Sequence, residues 1–276
     1  MISRIASFFF AIHHLYGGPQ SFATKSILLM RIVRNRLRVT SATGFVEQLT
    51  MISALLRLPS SVTGVVIECG SYMGGTTVNL SLAARVVGRR LYVFDSFEGL
   101  PEPQGSDATH LAMNVGEFHV YNKGSWCSPL ETVKANIEKY GDWETCTLVK
   151  GYFDSTLPSF TEPVAFIFCD VDLRESLKSC VNHLWPRLSL NGILFTHEAH
   201  HHEIASLFFD PSIWNGDPPG LIGAGSGLGL SPMPDGTFGS CLGYIIKRPS
   251  ITVRSIELGA RERYKARAVS TSSQAV

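Results

Sequence analysis

Apolar residues along this chain follow two spacings in alternation. Val65-Val66-Ile67, Leu91-Tyr92-Val93-Phe94, Val164-Ala165-Phe166-Ile167-Phe168-Cys169 and Gly192-Ile193-Leu194-Phe195 are short, continuous runs. That density suits parallel strands buried on both faces. Between the runs, apolar positions recur every three or four residues, as on amphipathic helices. Phe45, Leu49, Ile52, Leu55 and Leu56 form one such stripe, and Val78, Leu80, Leu82, Ala83 and Val86 form the next. Leu130, Val133 and Ile137 make a third, and Leu177, Cys180, Val181 and Leu184 a fourth. Pro59-Ser60-Ser61, Gly88 and Pro186 punctuate these stretches.

Regular succession of strand and helix predicts a parallel sheet with helices on both faces. Cys146 to Val149 adds a strand. Cys241–Lys247 and Ile251–Ile256 flank Arg248-Pro249-Ser250 and are expected to close the sheet as a hairpin. The expected fold is α/β, a doubly wound, seven-stranded, mostly parallel Rossmann-like sheet with a C-terminal antiparallel hairpin, spanning residues 41–260.

Residues 1–40 are expected to be an appended helical arm. Ser26 to Leu37 places Ile27, Leu28, Met30, Ile32 and Val33 against Arg31, Arg34 and Arg36, one apolar and one basic side. The apolar side suggests a homo-oligomer joined through this arm. Ala6 to Ile12 resembles a short export signal, but the run is brief and His13-His14 follow it, which favours an amphipathic docking helix. Residues 261–276 carry few apolar side chains and are expected to be a disordered basic tail. Pro101 to Trp126 is expected to be a surface excursion or lid, and the glycine-rich stretch Asn215 to Ser240 a mobile loop over the site. Gly223-Ala224-Gly225-Ser226-Gly227 lacks the Gly-Lys-Ser/Thr ending of a phosphate loop.

Composition narrows the function classes. With 276 residues, 45% of them hydrophobic and 17% charged, the chain is long enough for a large core. A net charge of +1 gives no general attraction to nucleic acid or an anionic membrane. No run of apolar residues is long enough to span a bilayer. The six cysteines form no C-x-x-C pair and lie largely in apolar runs, which points to reduced thiols and a cytoplasmic protein.

Candidate chemistry gathers where strands end. Glu68 closes the first strand and is followed by Gly70, Gly74 and Gly75 before a helix begins. A strand, a glycine turn and a helix N-terminus form the arrangement in which an open α/β sheet holds a nucleotide-like cofactor. The E-x-G-x-x-x-G-G spacing is not the dinucleotide fingerprint G-x-G-x-x-G, which disfavours a nicotinamide oxidoreductase. Asp95 closes the second strand, 27 positions after Glu68, where a ribose-binding carboxylate is expected. Asp170-Val171-Asp172 closes the fourth. The fifth runs into Thr196-His197-Glu198-Ala199-His200-His201-His202-Glu203. This contains H-E-x-x-H by letter, but the zinc-peptidase signature needs both histidines on one helix face, and this stretch follows a strand directly. His200, His201 and His202 are either a solvated polar loop or the source of a general base.

Three ordered motifs resemble those of the macrocin O-methyltransferase (TylF-like) family of class I S-adenosylmethionine-dependent methyltransferases. They are Asp95-Ser96-Phe97-Glu98-Gly99-Leu100-Pro101, Lys150-Gly151-Tyr152-Phe153-Asp154-Ser155-Thr156-Leu157-Pro158 and Asp170-Val171-Asp172-Leu173-Arg174-Glu175-Ser176. The similarity runs over about residues 45–248. It implies methyl transfer from S-adenosylmethionine to a hydroxyl of a small molecule, a sugar or natural product, assisted by Mg²⁺. It places Glu68, Gly70, Tyr72 and Thr76 at the methionine end of the cofactor, Asp95 and Ser96 at the ribose, and Tyr152 and Phe153 near the adenine. It makes Asp170 catalytic and a metal ligand, together with a pair of aspartates after strand five. Here that pair is His197-Glu198, and imidazole nitrogen suits Zn²⁺, Mn²⁺ or Fe²⁺ better than Mg²⁺. The family's tyrosine is also replaced, by Arg174. His200, two residues past Glu198, is the histidine the resemblance selects as base. A non-catalytic S-adenosylmethionine-binding or scaffold protein with a degenerate metal site is the alternative.

Overall fold

The computed structural model of the chain describes residues 9, 11–108, 111–114, 117–214, 218–223 and 240–249. A helical turn over residues 11–16 precedes α1 (Phe22–Arg36) and α2 (Phe45–Arg57). Then come β1 (Val65–Cys69), α3 (Gly75–Val86), β2 (Leu91–Asp95), β3 (Leu111–Asn114), β4 (Glu117–Val120), α4 (Leu130–Tyr140) and β5 (Cys146–Lys150). The remainder is α5 (Phe153–Thr156), β6 (Val164–Cys169), α6 (Arg174–Leu184), β7 (Leu188–Thr196), α7 (His202–Ala205), β8 (Ile222–Gly223) and β9 (Gly243–Ile246). One sheet of seven strands has the order β5-β2-β1-β6-β7-β9-β8. β5, β2, β1, β6 and β7 run parallel, and β9 is antiparallel to β7.

From β1 the chain winds outward to β2 and β5, then returns across β1 to β6. The two halves part between β1 and β6, and an α/β sheet offers its ligand crevice at such a switch point. Every residue of β1 and of β6 is buried. Their alternate side chains feed two cores. Val65, Ile67, Val164 and Ile167 pack with Leu177, Val181 and Leu184 of α6. On the other face, Val66, Phe166 and Phe168 pack with Leu80 of α3 and Leu49, Ile52 and Leu55 of α2.

The same second core takes in Ala11, Leu15 and, from α1, Leu28 and Ile32. The expected boundary at residue 40 is therefore no boundary in packing. A chain of buried amides reinforces this. Asn35 Nδ2 donates to Asn79 Oδ1 (2.9 Å), and Asn79 Nδ2 donates to Gln48 Oε1 (2.7 Å), tying α1, α3 and α2 together. Only the outer side of α1 is bare, with Phe22, Ile27, Met30, Val33 and Leu37 exposed.

Three other expectations change. Pro101 to Trp126 includes a two-stranded antiparallel ribbon, β3–β4, whose four-residue strands are too short to stand out as periodic. β7 begins at Leu188, earlier than its apolar run, because the polar Ser189 and Asn191 interrupt the pattern. β9 pairs with β7 on one side and with the earlier β8 on the other, where a following strand was expected. Ile251–Ile256, the tail 261–276 and most of the loop 215–240 lie outside the described residues.

If α1 belongs to the core, Ile32→Ala should lower the unfolding free energy by about 2–5 kcal/mol, the usual cost of truncating a fully buried isoleucine. Urea denaturation followed by far-ultraviolet circular dichroism measures this. An unchanged midpoint would mean that the arm folds apart from the sheet.

Candidate functional site

The carboxyl ends of β1, β2, β6 and β7 open onto a cavity of about 500 Å³. Of the residues singled out in the sequence, Gly70, Tyr72, Asp95, Ser96, Tyr152, Phe153, Asp170, His197 and His200 line it. Glu47, Tyr121, Trp126, Asp172 and Cys241 also line it.

The turn after β1 is shaped by close packing. Gly70 has φ +86°, and a Cβ there would sit 1.9 Å from the Asp170 carbonyl oxygen, so only glycine lets the ends of β1 and β6 meet. Asp95 clamps this turn to β2. Its Oδ2 accepts from the Ser71 amide (2.6 Å) and hydroxyl (2.9 Å), and its Oδ1 accepts from the Phe97 amide (2.7 Å). A carboxylate offers about four lone-pair sites, so Asp95 keeps roughly one acceptor position for a ligand. The Ser96 hydroxyl is committed to its own loop, donating to Gly99 O and accepting from the Glu98 amide. The Tyr72 ring meets Trp126 edge-on, with centroids 5.3 Å apart.

The opposite wall carries charge. His197 Nδ1 lies 3.2 Å from Asp170 Oδ1, and its Nε2 lies 3.2 Å from Glu47 Oε2. Asp170 Oδ2 accepts from the Thr43 hydroxyl. Burial alone would lower the His197 pKa, but the charges of Asp170 and Glu47 and their hydrogen bonds raise it well above the ordinary imidazole value. Burial would raise Glu47, yet His197 and three further donors hold it down to about 2. His200 goes the other way. Burial, then the neighbouring His197 charge, lowers it to about 4. Its Nδ1 lies 3.1 Å from the His197 carbonyl oxygen, which fixes the proton on Nδ1 and the lone pair on Nε2.

Three expected residues lie elsewhere. Glu68 is fully buried beneath the turn, and neither carboxyl oxygen makes a sound hydrogen bond. Burial pushes its pKa up to about 8. Thr76 is buried and bonds Thr43 and Ser41, because the segment through Thr40 and Ser41 lies over the start of α3, where a Cβ on Gly75 would meet Thr40 O at 2.4 Å. That segment covers the helix N-terminus expected to bind ligand. Glu198 is buried, and its Oε1 accepts from the amides of Val171 and Asp172. It holds the loop that presents Asp172, a residue at φ +61° whose pKa burial and Asp170 push up to about 7.

The cavity's size, the acceptor left on Asp95 and the aromatic walls fit a nucleoside-containing cofactor such as S-adenosylmethionine. The expected metal set does not fit. Asp170 and His197 approach each other, but Asp170, His197 and Glu198 do not bring all three ligand atoms within 4.8 Å of one another; Glu47, His197 and Cys241 do. Both His197 nitrogens already face carboxylates, and the set offers one imidazole nitrogen, one sulfur and one carboxylate. That set lacks the octahedron of oxygens that Mg²⁺ requires. A second group, Cys69, Cys169 and Cys180, is buried in the core beside α6.

Glu47, Asp172 and Tyr121 were not singled out by sequence. Asp172 stood in plain view in the D-x-D motif. Glu47 comes from a helix 150 positions before its partner His197, and no local signal marks it.

A family model described as Macrocin-O-methyltransferase (TylF) matches residues 48–208. The 8-demethyl-8-(2,3-dimethoxy-alpha-L-rhamnosyl)-tetracenomycin-C 4'-O-methyltransferase of Streptomyces olivaceus is 37% identical over 142 residues, 50% of this chain and 53% of that protein. The demethyldecarbamoylnovobiocin O-methyltransferase of Streptomyces niveus is 29% identical over 138 residues, 48% of this chain and 52% of that protein. The chain thus spans about half the length of the curated relatives it matches. Among solved structures, the O-methyltransferase NovP superposes with a TM-score of 0.55 at 18% identity, covering 90% of this chain and 100% of that one. The calicheamicin methyltransferase CalS11 gives 0.50 at 16%, covering 84% and 96%. These two share the fold. With the family model covering more than half of its residues, this chain belongs to the macrocin-O-methyltransferase (TylF) family.

Proposed function

We propose that the protein is an S-adenosylmethionine-dependent O-methyltransferase acting on a hydroxyl of a small molecule, a sugar or a sugar-bearing natural product. The observation that carries this is the meeting of Asp95, Asp170 and His200 on one cavity wall system in a chain of this family. The relatives' names, which specify a rhamnosyl-tetracenomycin and a demethyldecarbamoylnovobiocin, support the acceptor class.

S-adenosylmethionine would supply a methyl group on a positively charged sulfur. Asp95 is the group suited to the ribose hydroxyls, Gly70 and Tyr72 to the methionine end, and Tyr152 and Phe153 to the adenine. Ser96, Glu68 and Thr76 act behind them, shaping the turns. Methyl transfer is an in-line displacement, so the chain's main task is to align the acceptor oxygen, and Asp170 is placed to hold that hydroxyl. His200 Nε2 takes its proton as the new bond forms. With its pKa lowered to about 4, by burial and then by the His197 charge, it is unprotonated near neutrality but a weak base. Its contribution therefore belongs near the lower end of the roughly 10²- to 10⁴-fold range for positioned bases.

The reading extends to the cell and to assembly. All six cysteines are free, which supports a reducing, cytoplasmic setting. No helix among the described residues is long and apolar enough to cross a membrane. The exposed apolar stripe on α1 supports self-association through that face.

Calorimetry should give micromolar binding of S-adenosylhomocysteine, weakened about tenfold or more in a folded Asp95→Asn variant that keeps only part of the acceptor capacity. Failure of the wild type to bind would end the cofactor assignment. With a glycosylated acceptor, His200→Gln should lower kcat by about 10²-fold. Because the His200 pKa lies below its ordinary value, kcat/KM should hold steady as pH falls through about 6.5 and decline only towards 4. An acidic limb centred at 6.5 would remove His200 as the base. Ile27→Glu with Met30→Glu should convert a dimer to a monomer in light scattering, and a wild type already monomeric would refute the α1 interface.

A further inference from the structure

The family resemblance implies a divalent ion between the aspartate after β6 and carboxylates after β7, and the donors here do not make that site. We propose that the His197 ring, bridging Asp170 and Glu47, takes the place of the ion, so that this chain works without a metal. The inference rests on the methyl-transfer reading for its purpose but not for its test.

Hydrogen-bond inventory carries the argument. Ionised carboxylates only accept, so a histidine with a carboxylate oxygen 3.2 Å from each ring nitrogen needs a proton on both. A neutral ring would point its lone pair at oxygen lone pairs inside a buried wall. Glu47 is also saturated. It accepts from Ser240 Oγ, Cys241 N, Gly44 N and His197 Nε2, which uses all of its roughly four lone-pair sites and leaves none for an ion. Glu198, the remaining carboxylate of the expected set, has turned its Oε1 to two backbone amides.

The groups around the ring agree. Asp170 faces it from the end of β6 and Glu47 from α2, while Cys241 approaches from the segment before β9. His200 lies on the next turn, with ring centroids 6.1 Å apart. The Asp172 and Glu198 carboxylates also feel its charge. A fixed cation here neutralises one carboxylate and, with Thr43, sets the orientation of Asp170 at the cavity wall. His197 is thus a positioning residue, acting through Asp170.

Four measurements on the full chain test this without turnover. Elemental analysis of protein purified without chelator should find metal well below one ion per chain. Chelation should leave S-adenosylhomocysteine affinity unchanged. Nitrogen-15 spectra, with His197 assigned by its loss in His197→Gln, should show both ring nitrogens protonated well above pH 6.5, the ordinary value. His197→Asp sets a third carboxylate beside Asp170 and Glu47, and should bind Mg²⁺ or Mn²⁺ about tenfold or more tightly than wild type. Stoichiometric metal, a chelator-sensitive affinity, a lone pair on a His197 nitrogen, or equal Mg²⁺ binding by the two proteins would each overturn the proposal. If His197→Asp does not fold, the three wild-type measurements decide it. A protein that is metal-free with a charged His197 but binds no S-adenosylhomocysteine would refute the methyltransferase reading and leave this inference standing.

Discussion

Buried negative charge is the constraint around which this molecule is arranged. Glu68 and Glu198, fully buried, and Glu47, Asp170 and Asp172, partly buried, crowd the carboxyl ends of three adjacent strands, where an unpaired buried carboxylate would cost several kcal/mol. The structure meets this cost in two ways. Glu68 and Glu198 move towards the neutral acid, each with its pKa near 8. Glu47 and Asp170 are paired instead, across the single ring of His197. The loops at the site are positioned by these solutions: Glu198 pins the Val171–Asp172 turn, and Glu47 ties the segment before β9 to α2.

The same wall explains why helices outside the repeating α/β pattern matter. α2 contributes Glu47 and leads in from Thr43, so it supplies both the anion beside His197 and a donor to Asp170. α1 packs behind it through Leu28 and Ile32 and joins it to α3 through Asn35, Asn79 and Gln48. α1 is thus part of the packed layer that carries Glu47 and Thr43.

Much of this was legible in the chain. The continuous runs at Val65, Leu91 and Val164 located the central strands because both faces of a parallel sheet are buried and little else gives such density. Three motifs and the glycine turn after Glu68 located the strand tips, and the cavity collects Asp95, Tyr152 and Asp170 from the motifs and Gly70 from the turn. What stayed hidden depends on long-range geometry. Glu47 reads as one polar position on an amphipathic helix, and only the fold sets it against His197. Glu198 reads as a ligand by position, yet two amide donors turn its carboxylate inward. Thr76 and the start of α3 read as a binding turn, and the segment through Thr40 and Ser41 covers them. The sequence pattern also split α1 from the domain because its exposed stripe is as apolar as its buried one.

The most direct test of the account is a crystal structure of the chain with S-adenosylhomocysteine. The account predicts the nucleoside between the Gly70–Tyr72 turn, Asp95 and Tyr152, with open space left beside Asp170 and His200 for an acceptor hydroxyl. It also predicts His197 still bridging Asp170 and Glu47. Ligand bound away from this cavity, or Asp170 and His200 walled off from the sulfur, would contradict it.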